Sequence, residues 1–489
     1  MSKPVVQSHP KGLYVLFAAE AWERFSYYGM RALLVLYLVN HLNFERTDAL
    51  AVYGMYTGLV YLTPFFGGLL ADRVLGSRKA VLIGGVVMAL GHLAMASEAL
   101  LYPALGLLIV GNGFFKPNIS TIVGGLYERD DPRRDGGFTI FYMGINLGAF
   151  FSPLVCGTLG EKVGWDYGFS AAGVGMLIGL GIFMGGQKLL GSTGYPPDMG
   201  ENVAPGTNLR PKDWMQVGGW IAGSVATVIG VLAVWPVVGP LWAAVPGAVK
   251  LAIGAVLLLG TMASIVSGSK TQEGTEGLQR TVTILVLTFF NIFFWMGFEQ
   301  AGGTMTLFAD QQTDRHLGGW EIPASYFQSI NPMVIVLLAP VFSMLWTRLD
   351  QPGSRWHSST PTKMGLGMIT LGLGFIIMYF GQQRAEAIGM VGPMWLATVY
   401  FVHTLGELML SPIGLSMVTR LAPTKMVSLM MGAWFFSSAV ANYLAGTLEH
   451  MVQAYGLPIY GVLVATSIGA GVVLLLLTPL LKKWMHGRG

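Results

Sequence analysis

The chain has 489 residues, 53% of them from the AVILMFWYC set and only 11% Asp, Glu, Lys or Arg. Soluble domains carry about 25% charged residues, so this composition, with a mean hydropathy of +0.58, excludes an ordinary soluble enzyme and points to a chain embedded in lipid. The net charge of +4 is spread among apolar runs, which excludes a nucleic-acid-binding stripe, and the single cysteine, Cys156, excludes a disulfide framework or a cysteine metal centre.

A helical crossing of a bilayer core takes about 20 apolar residues. Apolar runs start near residues 12, 47, 79, 103, 136, 165, 214, 241, 279, 324, 363, 391, 426 and 456. The expected fold is therefore an all-α polytopic membrane protein of fourteen helices. The first run follows Met1–Lys11, carries Glu20, Glu23 and Arg24, and has no small-residue cleavage site, so it is not a signal peptide. Glycine, 67 of 489 residues, suits helices that pack closely through small side chains, as at Gly175 and Gly179.

Numbering the loops alternately from an N-terminus inside places 21 Lys and Arg on one side and 4 (Arg46, Lys162, Arg315 and Arg384) on the other. Cytoplasmic loops hold the excess, so both termini should be cytoplasmic. The Gly- and Pro-rich stretch 191–211 reads as a linker, and the two nearly chargeless runs after it, joined by the turn Trp235–Pro240, read as an inserted hairpin. The chain thus divides into an N-terminal six-helix bundle (1–190), a linker with the hairpin (191–275) and a C-terminal six-helix bundle (276–489). With the hairpin left out, spans four and ten hold the mid-helix prolines Pro117 and Pro412, six spans apart, which suggests parallel repeats.

Seven ionisable groups fall deep in spans: Glu20, Glu23, Arg24 and Arg31 in span one, Lys116 in four, Glu299 in seven and Glu407 in ten. Each costs roughly 2.5 to 3.5 kcal/mol at the membrane centre on insertion scales, so they must face one another or water. At about 100° per residue, Glu20, Glu23, Arg24, Tyr27, Tyr28 and Arg31 fall within an arc of about 140°. One reading of that stripe is a structural ion-pair cluster. Span seven repeats the pattern with Asn291, Trp295 and Glu299, and span ten with His403, Glu407 and Ser411. Polar stripes on several helices describe a central aqueous cavity.

The four carboxylates and three cations sum to −1. The neighbouring Glu20 and Glu23 are the expected proton site, and the remaining cations and carboxylates suit a zwitterionic ligand. His403 reads as a proton relay or, more simply, as a packing residue; Lys250 in the hairpin reads as snorkelling to the interface. Trp295 and Trp434 suit a ligand pocket or plain packing.

The stretch Glu20-Ala-Trp-Glu23-Arg24-Phe-Ser-Tyr27-Tyr28-Gly29 resembles the ExxER motif on the first helix of proton-coupled oligopeptide transporters, a branch of the major facilitator superfamily. Phe141–Gly148, Phe115-Lys116-Pro117-Asn118, Phe298-Glu299-Gln300 and Gly406–Pro412 are similar to four further motifs of that family, and Gly68–Arg73 with Arg78-Lys79 resembles the superfamily's loop between helices two and three. The resemblance implies the major facilitator fold, 6+6 transmembrane helices plus the hairpin, and a symporter that imports di- and tripeptides with protons by alternating access. It implies no cofactor, no metal, no nucleic acid and no obligate protein partner. The hairpin resembles that of bacterial members, implying a bacterial inner membrane.

Carried over by position, Glu20, Glu23, Arg24 and Glu299 would couple protons. Arg31 and Lys116 would bind the peptide carboxylate and Glu407 its amino group. Tyr27, Tyr28, Tyr61, Asn146, Asn331 and Ser411 would hold the rest of the peptide, with Trp295 and Trp434 in side-chain pockets. Arg31 with Glu299, and Lys116 with Glu407, would be ion pairs closing the outer gate. One departure is Gly54, which stands where animal members carry a histidine. The rival readings are a major facilitator carrier for nitrate or a drug, a membrane peptide sensor that moves nothing, and an intramembrane enzyme. No His-Glu-x-x-His or Gly-x-Ser-x-Gly supports the last.

Overall fold

The computed structural model describes residues 8–128, 131–195, 247–349, 359–423 and 426–488. The expected span starting near 214 and the turn Trp235–Pro240 lie outside these residues, as do the side chains of Arg73, Lys250, Ser411 and Pro412.

The first half runs α1 (Lys11–Asn40), α2 (Arg46–Leu70), α3 (Ser77–Ala94), α4 (Leu101–Gly125), α5 (Arg134–Lys162) and α6 (Trp165–Gly185). The second runs α7 (Gly247–Phe298), α8 (Thr304–Gln311), β1 (His316–Leu317), β2 (Trp320–Glu321), α9 (Ile330–Leu349), α10 (Thr360–Ile388), α11 (Met394–Leu421), α12 (Val427–Gln453) and α13 (Ile459–Trp484). Nine helical segments among the described residues are long and apolar enough to cross a membrane. At 30 residues, α1 also reaches across, being about 45 Å long at 1.5 Å per residue.

The long helix α7 breaks at Glu273 and Gly274, where φ turns to −132° and 64°. The part after the break is span seven. Arg280 pairs with Glu273, and His486 near the C-terminus meets Gln279 at 2.7 Å, so charged and polar contacts hold the break. The short α8 and the β1–β2 hairpin occupy a stretch that the apolar pattern leaves as a loop. The hairpin forms because Gly318 and Gly319 take φ of 57° and 85°, the left-handed values that a two-residue type I′ turn needs at both positions. Proline lies inside α2 (Pro64), α4 (Pro117) and α9 (Pro340). Pro64 and Pro340 form a second proline pair six spans apart.

In the first half α1 packs on α5 and α6, and α4 on α2 and α3. Small residues allow this: a Cβ on Gly175 would come 2.6 Å from the Phe25 ring, and one on Gly179 would come 3.1 Å from the Ala19 carbonyl. In the second half α10 packs on α11 and α13, and α12 on α7. Across the halves the broadest helix contact is α2 on α12.

The polar bonds between halves, among the described residues, lie from mid-helix to the end that holds Asn40, Arg46 and Lys162. Arg46 Nε donates to Glu449 at 2.6 Å, Asn40 Nδ2 to Asp310 at 2.9 Å and Lys162 Nζ to Glu321 at 2.6 Å. The Glu161 carboxylate accepts from the N–H groups of Ala324 and Ser325 at 2.6 and 3.0 Å, with Arg315 Nη1 at 3.8 Å. It caps the turn that leads into α9, where N–H groups otherwise lack partners. The halves are thus closed on each other at this end.

Candidate functional site

Two ionic groups sit on α1, about two turns apart. In the lower one, Glu20, Glu23 and Arg24 are at most 1% exposed. Arg24 is paired two-armed with Glu23, its Nη2 donating to Oε1 at 2.6 Å, and its Nε lies 3.4 Å from Glu20 Oε1. The guanidinium also stacks 4.9 Å from the Tyr27 ring centroid. Adjacent residues point different ways on a helix, so the pairing of Glu23 with Arg24 needs the two side chains to bend toward each other, and Asn112 of α4 faces Glu23 at 3.5 Å. The remaining Glu20 oxygen, Oε2, is buried without a hydrogen-bond partner.

In the upper group, Arg31 donates through Nε to the Tyr53 hydroxyl at 2.6 Å and through Nη2 to Glu299. This pair joins the halves at their middle. Below it opens a cavity of about 210 Å³ whose wall includes Tyr28, Arg31, Tyr61, Lys116, Asn146, Trp295, Glu299, Asn331 and Glu407. Nine residues expected at the site therefore share one cavity, drawn from helices of both halves. It is also lined by Tyr142, Gln328, Tyr400, His403 and Thr404, and by an apolar side of Ile145, Ala149, Pro153, Phe298, Pro332 and Ile335. Of these, Tyr142 and Ile145 fall within the stretch Phe141–Gly148, Phe298 opens Phe298-Glu299-Gln300 and His403 belongs to the span-ten stripe, whereas Gln328, Tyr400 and Thr404 carry no sequence signal.

The remaining expectations divide. Tyr27 is 3% exposed and turns its ring edge to Tyr28 at 5.1 Å, outside the cavity wall. Trp434 is not on the wall either: its indole fills the space over Gly414, where a Cβ would come 2.1 Å from the ring. Ser411 lies in α11, with its side chain outside the described ones. Lys116 and Glu407, expected as a second ion pair of the outer gate, are not paired here. Glu407 Oε2 instead accepts from Asn331 Nδ2 at 2.7 Å, and Lys116 lies on the part of the cavity wall that α4 supplies. With the Asn40–Arg46–Lys162 end already closed, that pair is not part of its closure. His403 wedges against Phe375, ring centroids 4.5 Å apart, in the space left by Gly374, which is the packing arrangement.

The charge sum resolves by location. Arg31, Lys116, Glu299 and Glu407 on the cavity wall sum to zero, and the lower cluster of Glu20, Glu23 and Arg24 carries the surplus −1. Buried in a low-dielectric bundle, an unbalanced carboxylate is costly. A proton on the unpartnered Glu20 oxygen would remove that imbalance.

The comparisons with known proteins agree with this geometry. The sequence profile PTR2, described as the POT family, matches residues 78–463. The chain is 39% identical to the "Uncharacterized transporter YclF" of Bacillus subtilis, over 98% of this chain and 96% of that one. It is 36% identical to the "Peptide transporter YePEPT" of Yersinia enterocolitica, again over 98% and 96%. Among solved structures, a peptide transporter POT in complex with sulfate superposes with a TM-score of 0.84 at 35% identity, covering 98% of this chain and 96% of that one. With these matches spanning both halves, the fold is the major facilitator fold of a multi-pass membrane transporter, and the chain belongs to the POT family.

Proposed function

We propose that the protein is a proton-coupled symporter that imports di- and tripeptides across a bacterial inner membrane by alternating access. The observation that carries this reading is the distribution of charge: a neutral cavity whose cations Arg31 and Lys116 come from the first half and whose carboxylates Glu299 and Glu407 come from the second, beside a separate cluster with one negative charge in surplus. Such a cavity suits a small zwitterion. Lys116 and Arg31 take its carboxylate, Glu407, held by Asn331, takes its amino group, and Asn146, Tyr28 and Tyr61 take the backbone. Nitrate has no group for Glu407 to bind. The apolar side of the wall and Trp295 leave room for varied side chains.

In this reading the bundles 1–190 and 276–489 rock about the cavity, the segment 191–275 joins them, and the termini are cytoplasmic, a placement that the 21 to 4 division of Lys and Arg supports. The closed end is then the outer one. Arg31 with Glu299, together with the bonds of Arg46 and Glu161, holds it shut. A proton on Glu299 releases Arg31 to the peptide carboxylate, and a proton on the Glu20–Glu23–Arg24 cluster balances that site during the return. Lys116 and Glu407, apart here, are placed to pair when the inner side closes.

The test is uptake of a labelled dipeptide into proteoliposomes, with and without an imposed inward proton gradient. Accumulation above equilibrium only with the gradient supports symport. Equilibration regardless of gradient means facilitated diffusion, and binding without uptake means a sensor.

A further inference from the structure

Tyr53 looks in the sequence like a packing aromatic, yet it holds the centre of the gate. It is 1% exposed, and its hydroxyl accepts the Nε–H of Arg31 at 2.6 Å. The same oxygen sits over Gly302, where a Cβ would come within 1.8 Å of it. Gly302 ends the short turn Glu299–Gly302 that carries Glu299. One side chain from α2 therefore touches the Arg31 guanidinium and the turn that bears its carboxylate partner.

The geometry has a consequence for the strength of the ion pair. A guanidinium binds a carboxylate most firmly through two parallel N–H groups. Here Nε is committed to Tyr53, and Nη2 alone reaches Glu299. Arg31 still lines the cavity, so its remaining N–H donors, which have no partner among the described residues, can meet a ligand. In a site excluded from water a two-armed pair would be hard to break.

We propose that Tyr53 is a positioning residue that keeps the Arg31–Glu299 pair one-armed, so that the outer gate closes without locking. The proposal rests on the reading of that pair as the outer gate. Its sign is the reverse of a buttress: removing the hydroxyl frees Nε to join Nη2 on Glu299, which tightens the gate.

The experiment places spin labels on cysteines introduced at Asp48 and Tyr455, on opposite halves at the closed end, in the full chain in nanodiscs. Tyr53→Phe should move the distance distribution toward short, closed separations. In proteoliposomes the maximal uptake rate should fall about tenfold, the worth of one charge-assisted hydrogen bond, with KM changed less than about twofold. Gly302→Ala, which displaces the hydroxyl from the other side, should shift distances the same way. In an Arg31→Lys background Tyr53→Phe should add nothing, because a lysine ammonium has no second arm to turn. Longer or unchanged distances in Tyr53→Phe, or equal shifts in both backgrounds, overturn the role of Tyr53. Glu299→Gln is the control: if it leaves the distances unchanged, the gate reading falls and this proposal with it. If it lengthens them, the gate reading holds and the Tyr53→Phe distances alone decide the role of Tyr53.

Discussion

Gly54 of α2 and Gly446 of α12 cross so closely that a Cβ on Gly54 would lie 2.6 Å from the Gly446 Cα, and one on Gly446 would lie 2.5 Å from the Gly54 Cα. The contact joins the two halves just below Arg46 and Glu449. It gives a physical reason for the departure at position 54: no side chain fits there while this end is closed. Gly54→Ala should therefore open the closed end. Overpacking costs about 1 to 3 kcal/mol, a shift of roughly five- to a hundredfold in the ratio of closed to open states. Spin-label distances between Asp48 and Tyr455 read it, and a distribution unchanged from wild type refutes it.

Glu161 supplies a second closure, independent of the cavity. Its carboxylate bonds the N–H groups of Ala324 and Ser325 across the halves. Glu161→Ala leaves those two donors without their acceptor, while Arg315 keeps Asp310 at 3.2 Å and Glu321 at 3.0 Å. A cysteine at Ser325, buried in the closed end, should then react with an impermeant thiol reagent roughly tenfold faster, for the loss of about 1.4 kcal/mol of hydrogen bonding. Equal rates in the two proteins would assign closure to the other contacts.

Recognition of both ends of a peptide rests on Lys116 and Glu407. Lys116→Ala should weaken peptides with a free carboxylate far more than C-terminal amides, and Glu407→Gln should discriminate against a free amino group in the same way. A charged hydrogen bond contributes about 1.5 to 3 kcal/mol, so each change should cost roughly ten- to a hundredfold in affinity for the free dipeptide. A double-mutant cycle with free, N-acetylated and C-amidated dipeptides separates recognition from pairing between the two residues. Equal weakening of free and N-acetylated dipeptides by Glu407→Gln would remove amine recognition.

The loop before α5 should not contribute to the pH dependence of transport. Hydrogen bonds from the Arg133 side chain and N–H hold the Asp131 carboxyl down at about 2. A depressed carboxyl contributes stability above its unfolded pKa, about 3.9, and loses it only as pH falls through about 2. Between pH 5 and 7 the group stays ionised. Asp131→Asn should leave the shape of the uptake profile between about pH 5 and 7 unchanged, and a shifted profile would place a coupling group in this loop.

Much of the site is legible in the sequence because lipid makes charge conspicuous. Glu20, Glu23, Arg24, Arg31, Lys116, Glu299 and Glu407 announce themselves by interrupting apolar runs, and the spacing on α1 places six polar groups on one face. Starts of spans follow from the same contrast, with Arg46, Arg134 and Trp165 each opening a helix within two residues of the expected place. Tyr53 and the Gly54–Gly446 crossing carry no such contrast: an aromatic and a glycine in an apolar helix look like packing, and the partner lies hundreds of residues away. The hairpin at Gly318-Gly319 had a local turn signal, hidden beside the stronger pattern of the spans. The separation of Lys116 from Glu407 belongs to one conformation, and a sequence encodes all conformations at once.

The central claim is that a proton on the α1 cluster drives the carrier, and Glu20, with an unpartnered buried oxygen, tests it most directly. Glu20→Gln copies the protonated shape but cannot release a proton. In proteoliposomes, accumulation of labelled dipeptide driven by an inward proton gradient should be lost, while counterflow against unlabelled dipeptide at equal pH on both sides should persist. Driven accumulation at the wild-type level would contradict the account, and loss of binding, accumulation and counterflow together would make the cluster a structural ion-pair site.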